Sequence, residues 1–181
     1  MVHSIELLLD GARDGARDDA ALRHQWEALA AAGLPSQAHH TGATNRPHVT
    51  LVACSHVDAR VEPALVRATR ALPLRVALGP LTCFGAGPFV LVRLVVPTAD
   101  LLALQALVHQ ACGAATMLGP NFAAGRWVPH VTLARRLPAD QVGRALASLA
   151  RLGPAEVELT AARHWDGVRK AEWPVGADSP P

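Results

Sequence analysis

The sequence predicts strands alternating with helices, arranged as two similar lobes related by a pseudo-two-fold axis around one shared cleft. Three observations lead there. The pentapeptide Pro-His-Val-Thr-Leu occurs twice, at Pro47 to Leu51 and Pro129 to Leu133, with 82 residues between the two histidines. Each copy closes a strand, helix and long loop, and each is followed by a helix. The chain has 181 residues and half of them are hydrophobic, enough for one packed core and too few residues for several domains.

The elements follow in order. His3 to Leu9 is short and apolar and reads as a buried strand. Asp18 to Ala32 carries Leu22, Trp26 and Leu29 at helical spacing, with Gly33 as the stop. Leu34 to Pro47 is a polar loop, long enough to suggest function. His48 to Cys54 is β-branched and predicts a strand. A helix is expected from Arg60 to Leu72, with Pro63 tolerable only in its first turn. Leu74 to Phe84 and Phe89 to Val96 are two strands joined by Gly85-Ala86-Gly87-Pro88.

Thr98 caps a helix to about Ala115, with Leu101, Leu104, Leu107 and Val108 on one stripe. The loop Met117 to Pro129 leads into a strand from His130 to Arg135. Ala139 to Leu152 predicts a helix stopped by Gly153-Pro154. Glu156 to Trp165 and Val168 to Trp173 are expected as hairpin arms around a type I′ Asp166-Gly167 turn. Residues 1–175 are thus expected to form a single bilobal domain, with 176–181 a frayed tail.

Composition excludes several classes. The net charge is only +2, which does not predict a broad basic face for duplex DNA. Lys170 is the only lysine among seventeen basic residues. Three separated cysteines, Cys54, Cys83 and Cys112, form no C-x-x-C, so neither a disulfide framework nor a cysteine zinc site is expected. The N-terminus lacks the basic start and apolar length of a signal peptide. The most apolar run, Phe89 to Val96, holds Arg93 and is far too short to span a bilayer. A cytoplasmic monomer is expected, without membrane contact.

The repeated motif carries the chemistry. Alternate strand residues share a face, so His48 projects with Thr50, and His130 with Thr132. A single H-x-T would read as a core histidine beside a backbone-bonded threonine. Two copies in equivalent settings read instead as a site. One neutral imidazole can take a proton from an attacking oxygen, and one imidazolium can give a proton to a leaving oxygen. The two hydroxyls can bond the non-bridging oxygens of a phosphodiester. Neither motif has an adjacent carboxylate and no H-E-x-x-H occurs, so no metal or other cofactor is expected.

With His48-Val49-Thr50-Leu51 and His130-Val131-Thr132-Leu133, the chain resembles the two-histidine (2H) phosphoesterase superfamily, including the bacterial 2′-5′ RNA ligase-like and RNA 2′,3′-cyclic phosphodiesterase enzymes. Ala134-Arg135 also resembles the basic extension frequent after that family's second motif. The resemblance spans about residues 3–175. It implies a bilobal α+β fold with mostly antiparallel sheets around a central cleft. It implies hydrolysis of 2′,3′-cyclic phosphates to 2′-phosphomonoesters, with weak reverse 2′-5′ ligation in some members. RNA ends or small nucleotides are the implied substrates. His48 is read as the acid and His130 as the base, an order that a substrate complex fixes.

Other residues carry two readings. Arg135, five positions after His130, leans to the opposite face unless the strand twists or ends, yet its context suits a phosphate ligand. Arg93 is either a structural ion pair or a phosphate clamp. Arg126 and Trp127 precede the second motif; the indole either stacks on a base or anchors the loop. His39 and His40 read as solvated loop residues, and Cys54 as a buried thiol. Two other functions fit the sequence. One is a different 2H activity, on the cyclic phosphate of an ADP-ribose derivative or on a 2′,5′-oligonucleotide. The other is a nucleotide- or RNA-binding module without turnover.

Overall fold

The computed structural model describes residues 2–9, 15–150, 153 and 155–176. Among the described residues, eight strands alternate with four α-helices: β1 (His3–Leu8), α1 (Gly15–Ala31), β2 (His48–Cys54), α2 (Glu62–Thr69), β3 (Leu74–Phe84), β4 (Phe89–Val95), α3 (Ala99–Cys112), β5 (His130–Leu137), α4 (Val142–Ser148), β6 (Ala155–Leu159), β7 (Ala161–Asp166) and β8 (Ala171–Pro174). The strands form one sheet in the order β6-β3-β4-β5-β2-β1-β7-β8, and every adjacent pair is antiparallel. The fold is α+β, as the repeat and the resemblance lead one to expect.

The order divides into two four-stranded halves that meet at β5 and β2. Only Val49 and Val131 pair across that junction. A pseudo-two-fold axis therefore passes between the two motif strands. The helices pack crosswise: α1, from the first repeat, lies on β5, and α3, from the second, lies on β2. Leu22 and Leu29 of α1, with Leu101 and Leu104 of α3, are buried with Ile5, Leu7, Val49, Val131 and Leu133 of the strands. Each repeat thus covers the other's motif strand and both share one core.

Local chemistry sets the helix bounds. The Thr98 hydroxyl accepts the Leu101 N–H at 3.2 Å and caps α3, and Gly113 at φ 80° ends it. Pro63 falls in the first turn of α2, where its missing N–H costs nothing, so α2 begins at Glu62 after a short 3₁₀ turn. It ends at Thr69, short of the expected Leu72, ahead of Pro73, which biases its predecessor away from helix. Likewise a 3₁₀ turn, Ala139–Gln141, precedes α4, which stops at Ser148. The expected continuation through residues 151 and 152 lies outside the described residues.

Two expectations at the C-terminal end need correction. Glu156 to Trp165 is not one hairpin arm. It is β6 and β7, separated by Thr160, pairing with β3 in one half and β1 in the other. The Thr160 N–H donates to the Leu8 carbonyl at 2.9 Å where the chain changes partners. Because β6 ends the sheet order on one side and β7 stands near the other end, the sheet must curl to bring them together. The β7–β8 turn is also not a two-residue type I′ turn. Asp166 opposes Ala171, leaving four loop residues. The Asp166 carboxylate accepts the N–H groups of Val168 and Arg169 at 2.8 and 3.2 Å. Lys170, not Gly167, takes the left-handed conformation, at φ 52°. Gly167 is required by close approach instead: a Cβ there would stand 2.7 Å from the Val2 carbonyl oxygen. Of the expected tail, Gly176 is a turn residue and 177–181 lie outside the described residues.

Candidate active site

The two histidines are held in the same way. Each follows a proline, which fixes φ near −65° and carries the carbonyl two residues before the histidine back toward the ring. The Nδ1–H of His48 donates to the Arg46 carbonyl at 2.7 Å. The Nδ1–H of His130 donates to the Val128 carbonyl, also at 2.7 Å. A carbonyl only accepts, so each neutral ring has its lone pair on Nε2. Both Nε2 atoms are thereby set for proton transfer.

The junction strands are propped apart symmetrically. The Trp26 indole N–H donates to the Thr132 carbonyl at 3.0 Å, and the Trp127 indole N–H donates to the Thr50 carbonyl at 3.0 Å. These carbonyls have no partner in the single-pair junction and would otherwise be buried unbonded.

His48, Thr50, His130 and Arg135 line one cavity of ≈ 990 Å³. Arg135 reaches it because two bulges interrupt β5 against β4, between Thr132 and Leu137, and re-aim the following side chains. Straight alternation would have sent it to the other face. Thr132 is buried, two positions beyond His130 on the same strand, and is not among the residues lining the cavity.

The remaining expected substrate ligands lie elsewhere. Arg93 opposes Val131, so it shares the face turned away from the histidines. It is buried and donates to the Gly153 carbonyl at 2.7 Å, which makes it a structural residue rather than a phosphate clamp. Trp127 is 8 % exposed and packs in the core, so the anchoring reading replaces the stacking one. Arg126 is exposed and does not line the cavity.

Sequence reasoning missed Glu6. It opposes Thr50 from β1 and is buried, with Oε1 at 3.6 Å from the His48 Nε2. Ser4 donates to Oε1 at 2.6 Å and Arg163 donates to Oε2 at 2.7 Å. Burial alone would raise the Glu6 pKa, but His48, Arg163 and Ser4 together hold it below the usual carboxylate value. Arg163 also pairs with Glu172, which pairs with Arg46. The available signal was a carboxylate interrupting an apolar strand, a costly placement unless partnered.

His130 has different company. The Phe84 ring meets it edge-on with centroids 4.9 Å apart. Its pKa lies below the ordinary histidine value: burial disfavours the charged form, Arg135 and His48 oppose it further, and the Val128 carbonyl only partly compensates.

The loop between α1 and β2 forms the cavity's outer wall. Gln37, Thr41 and Asn45 are among its lining residues. The Asn45 amide ties the loop by donating to the Gln37 and His40 carbonyls at 2.9 and 2.8 Å. Among the described residues no three or more His, Cys, Asp or Glu side chains gather as a metal site. No described helix is long and apolar enough to cross a membrane.

A duplicated α+β unit that turns two H-x-T strands into one cleft defines the 2H phosphoesterase class. Residues 18–170 match the family model described as the 2′-5′ RNA ligase superfamily, and the chain belongs to that superfamily. Among curated proteins none matches the chain. Solved structures share its fold, three of them as follows. Kluyveromyces marxianus Usb1 superposes with a TM-score of 0.57 at 13% identity, covering 96% of this chain and 97% of its own. TT0787 of Thermus thermophilus gives 0.55 at 17% identity, covering 99% and 100%. The E. coli LigT complexed with NADP+ gives 0.53 at 18% identity, covering 95% and 92%.

Proposed function

We propose that the protein is a metal-independent phosphodiesterase that opens 2′,3′-cyclic phosphates at RNA ends or on small nucleotides, leaving 2′-phosphomonoesters. The observation that carries this reading is the pair of histidines, each with Nδ1–H tied to a carbonyl two residues back, lining one cavity. Simple phosphate binding does not need two oriented proton carriers. Nucleotide substrates also suit the fold's company: LigT is solved with NADP+ and with 3′-AMP, and Usb1 with uridine monophosphate.

The surroundings of the two histidines support one order of roles. His130, held toward its neutral form, takes a proton from water through Nε2. The water oxygen bonds to phosphorus and the bond from phosphorus to the 3′ oxygen breaks. His48, with the Glu6 carboxylate as its ion-pair partner, gives the leaving 3′ oxygen its proton. The net reaction consumes one water. Thr50 and Arg135 bond the non-bridging oxygens as charge builds on them, and Thr132, buried off the cavity lining, does not reach them. The protein works as a single bilobal unit of residues 1–175 in a reducing, aqueous compartment.

His48→Ala and His130→Ala should each lower turnover of a nucleoside 2′,3′-cyclic phosphate by at least about a hundredfold with an unchanged circular dichroism spectrum. Turnover of the unaltered protein should survive EDTA. Folded variants that keep full activity, or activity that EDTA abolishes and added metal restores, would overturn the reading.

A further inference from the structure

The cavity is much longer than the reacting group needs. From the histidines it runs across the first half of the sheet, past Ser4 and Glu6, to Trp165 and the turn carrying Lys170. Strand register gives the same direction. Glu6 opposes Thr50 on one side and Arg163 on the other, and Ser4 opposes Trp165. Opposed residues share a face, so Trp165 stands on the cleft floor with Glu6 and Arg163. Two strand spacings across and two residues along put the Trp165 Cα about 12 Å from the Thr50 Cα.

The charges in this stretch sort into two kinds. Arg163 and Arg46 are consumed by Glu6 and Glu172, two cations against two anions. Arg135 and Lys170 line the cavity, and among the described residues neither side chain has an ion pair or hydrogen bond. One free cation therefore stands beside His130 and the other at the far end, beyond the indole. Lys170 is the chain's only lysine, held at φ 52° on a turn pinned through Gly167 to the Val2 carbonyl. A non-glycine residue in that conformation costs energy that the surrounding turn must supply.

We propose that this extension is a subsite for the penultimate nucleotide of an RNA 3′ end: Trp165 stacks its base and Lys170, beyond the indole, meets the phosphate on that nucleotide's 5′ side. This rests on the cyclic phosphodiesterase reading and selects oligonucleotide ends over free mononucleotides as its substrates. The terminal base is attached to the ribose that carries the cyclic phosphate. It stays within a few ångströms of the histidines and does not extend to Trp165. An indole face takes any base, so the subsite senses length and not sequence.

Fluorescence anisotropy with a 5′-labelled RNA trinucleotide bearing a 3′-phosphate tests this without turnover, using an unlabelled nucleoside 3′-monophosphate as competitor. The trinucleotide should bind at least about tenfold more tightly than the monophosphate. Trp165→Ala should remove most of that preference and Trp165→Phe should keep most of it. Lys170→Ala should weaken trinucleotide binding and reduce its salt slope by about one phosphate's worth. Equal affinity for the two ligands, or a Trp165→Ala protein that keeps the preference, overturns the subsite. Should Trp165→Ala fail to fold, the length preference and the Lys170→Ala salt slope decide. Trinucleotide binding that depends on Trp165, in a protein that opens no cyclic phosphate, would overturn the proposed activity and leave the subsite standing.

Discussion

Around His48 the cleft floor is ionic, while around His130 it is apolar. The repeat sets the two surroundings in the same register: Leu8 opposes His48 as Leu94 opposes His130, and Glu6 opposes Thr50 as Val92 opposes Thr132. One equivalent pair is leucine twice; the other is a carboxylate against a valine. Behind Glu6 stand Ser4, Arg163 and Glu172, whereas His130 has Phe84 at its edge and Arg135 as its nearest cation. Duplication supplies two identical proton carriers in identical tautomers. Acid–base catalysis needs them in opposite protonation states, and a symmetric site would give them equal ones. On the proposed reading, the residue beside each motif, Glu6 or Val92, and not the motif itself, separates their roles.

The ionic half should also dominate the pH dependence of stability. His164 on β7 is buried against Trp173 and has its pKa pushed down to about 4 by burial and the nearby His3, against the opposing pull of Asp166 and Glu6. Between about 4 and the ordinary value near 6.5, the unfolded chain binds a proton that the folded protein refuses. Stability is therefore full above that window and falls as pH falls through it. Urea unfolding at pH 7 and pH 4.5 should differ by about 2 kcal/mol from this group. His164→Leu should remove that part of the difference. If the variant keeps the whole pH slope, the burden lies outside this half.

Glu6→Gln removes the charge that distinguishes the halves while keeping the shape and the bond from Ser4. Arg163 retains Glu172 as a partner, so the fold should persist. Turnover should fall about tenfold, equivalent to about 1.4 kcal/mol in the barrier. A folded Glu6→Gln enzyme with undiminished kcat would mean that the asymmetry is not used in catalysis.

Much of this site was legible in the chain. The paired H-x-T strands, their spacing and the helices around them follow from local periodicity and a repeat, both of which survive in one dimension. Thr98 as a cap and Pro63 as a first-turn residue were legible for the same reason. Glu6, Trp165 and Lys170 were not, because their place in one cleft with the histidines comes from strand order, β2 beside β1 beside β7, which brings together residues 42 to 122 positions from His48. Between the two readings of Trp127, nearness to a motif in sequence does not decide, because it is not nearness to the cleft. The strand it precedes turns the indole inward, to a carbonyl left unpaired by the other motif strand.

That crossed bond allows a test of symmetry itself. Trp26→Phe and Trp127→Phe each keep the ring in the core and delete one N–H···O=C bond to a buried carbonyl. Each should cost about 1 kcal/mol of stability, seen as a lowered Tm, with KM unchanged for the Trp127 variant. Clearly unequal losses would show that the two halves are not mechanically equivalent at their junction, and a raised KM would return Trp127 to the substrate.

Arg135 sharpens the comparison from the apolar side, with the smallest effect. His130 must be neutral to act as a base, so kcat/KM falls on the acid side as the ring takes a proton. Burial and the cations Arg135 and His48 hold that proton off, so the acid limb should lie below the ordinary histidine value near 6.5. Arg135→Gln removes one of the two cations. Protonation of His130 then becomes easier, its pKa rises, and the acid limb moves toward higher pH. Both limbs are properties of the coupled histidine pair, so the displacement is read on the whole profile. Losing a phosphate contact also raises KM, but that scales the profile without moving its limb. Arg135→Lys keeps the charge and should leave the limb in place while weakening binding, since an ammonium lacks the guanidinium's two-pronged geometry. An acid limb that stays put in Arg135→Gln while KM rises would make Arg135 a phosphate ligand alone, and would leave burial as the main cause of the difference between the two histidines.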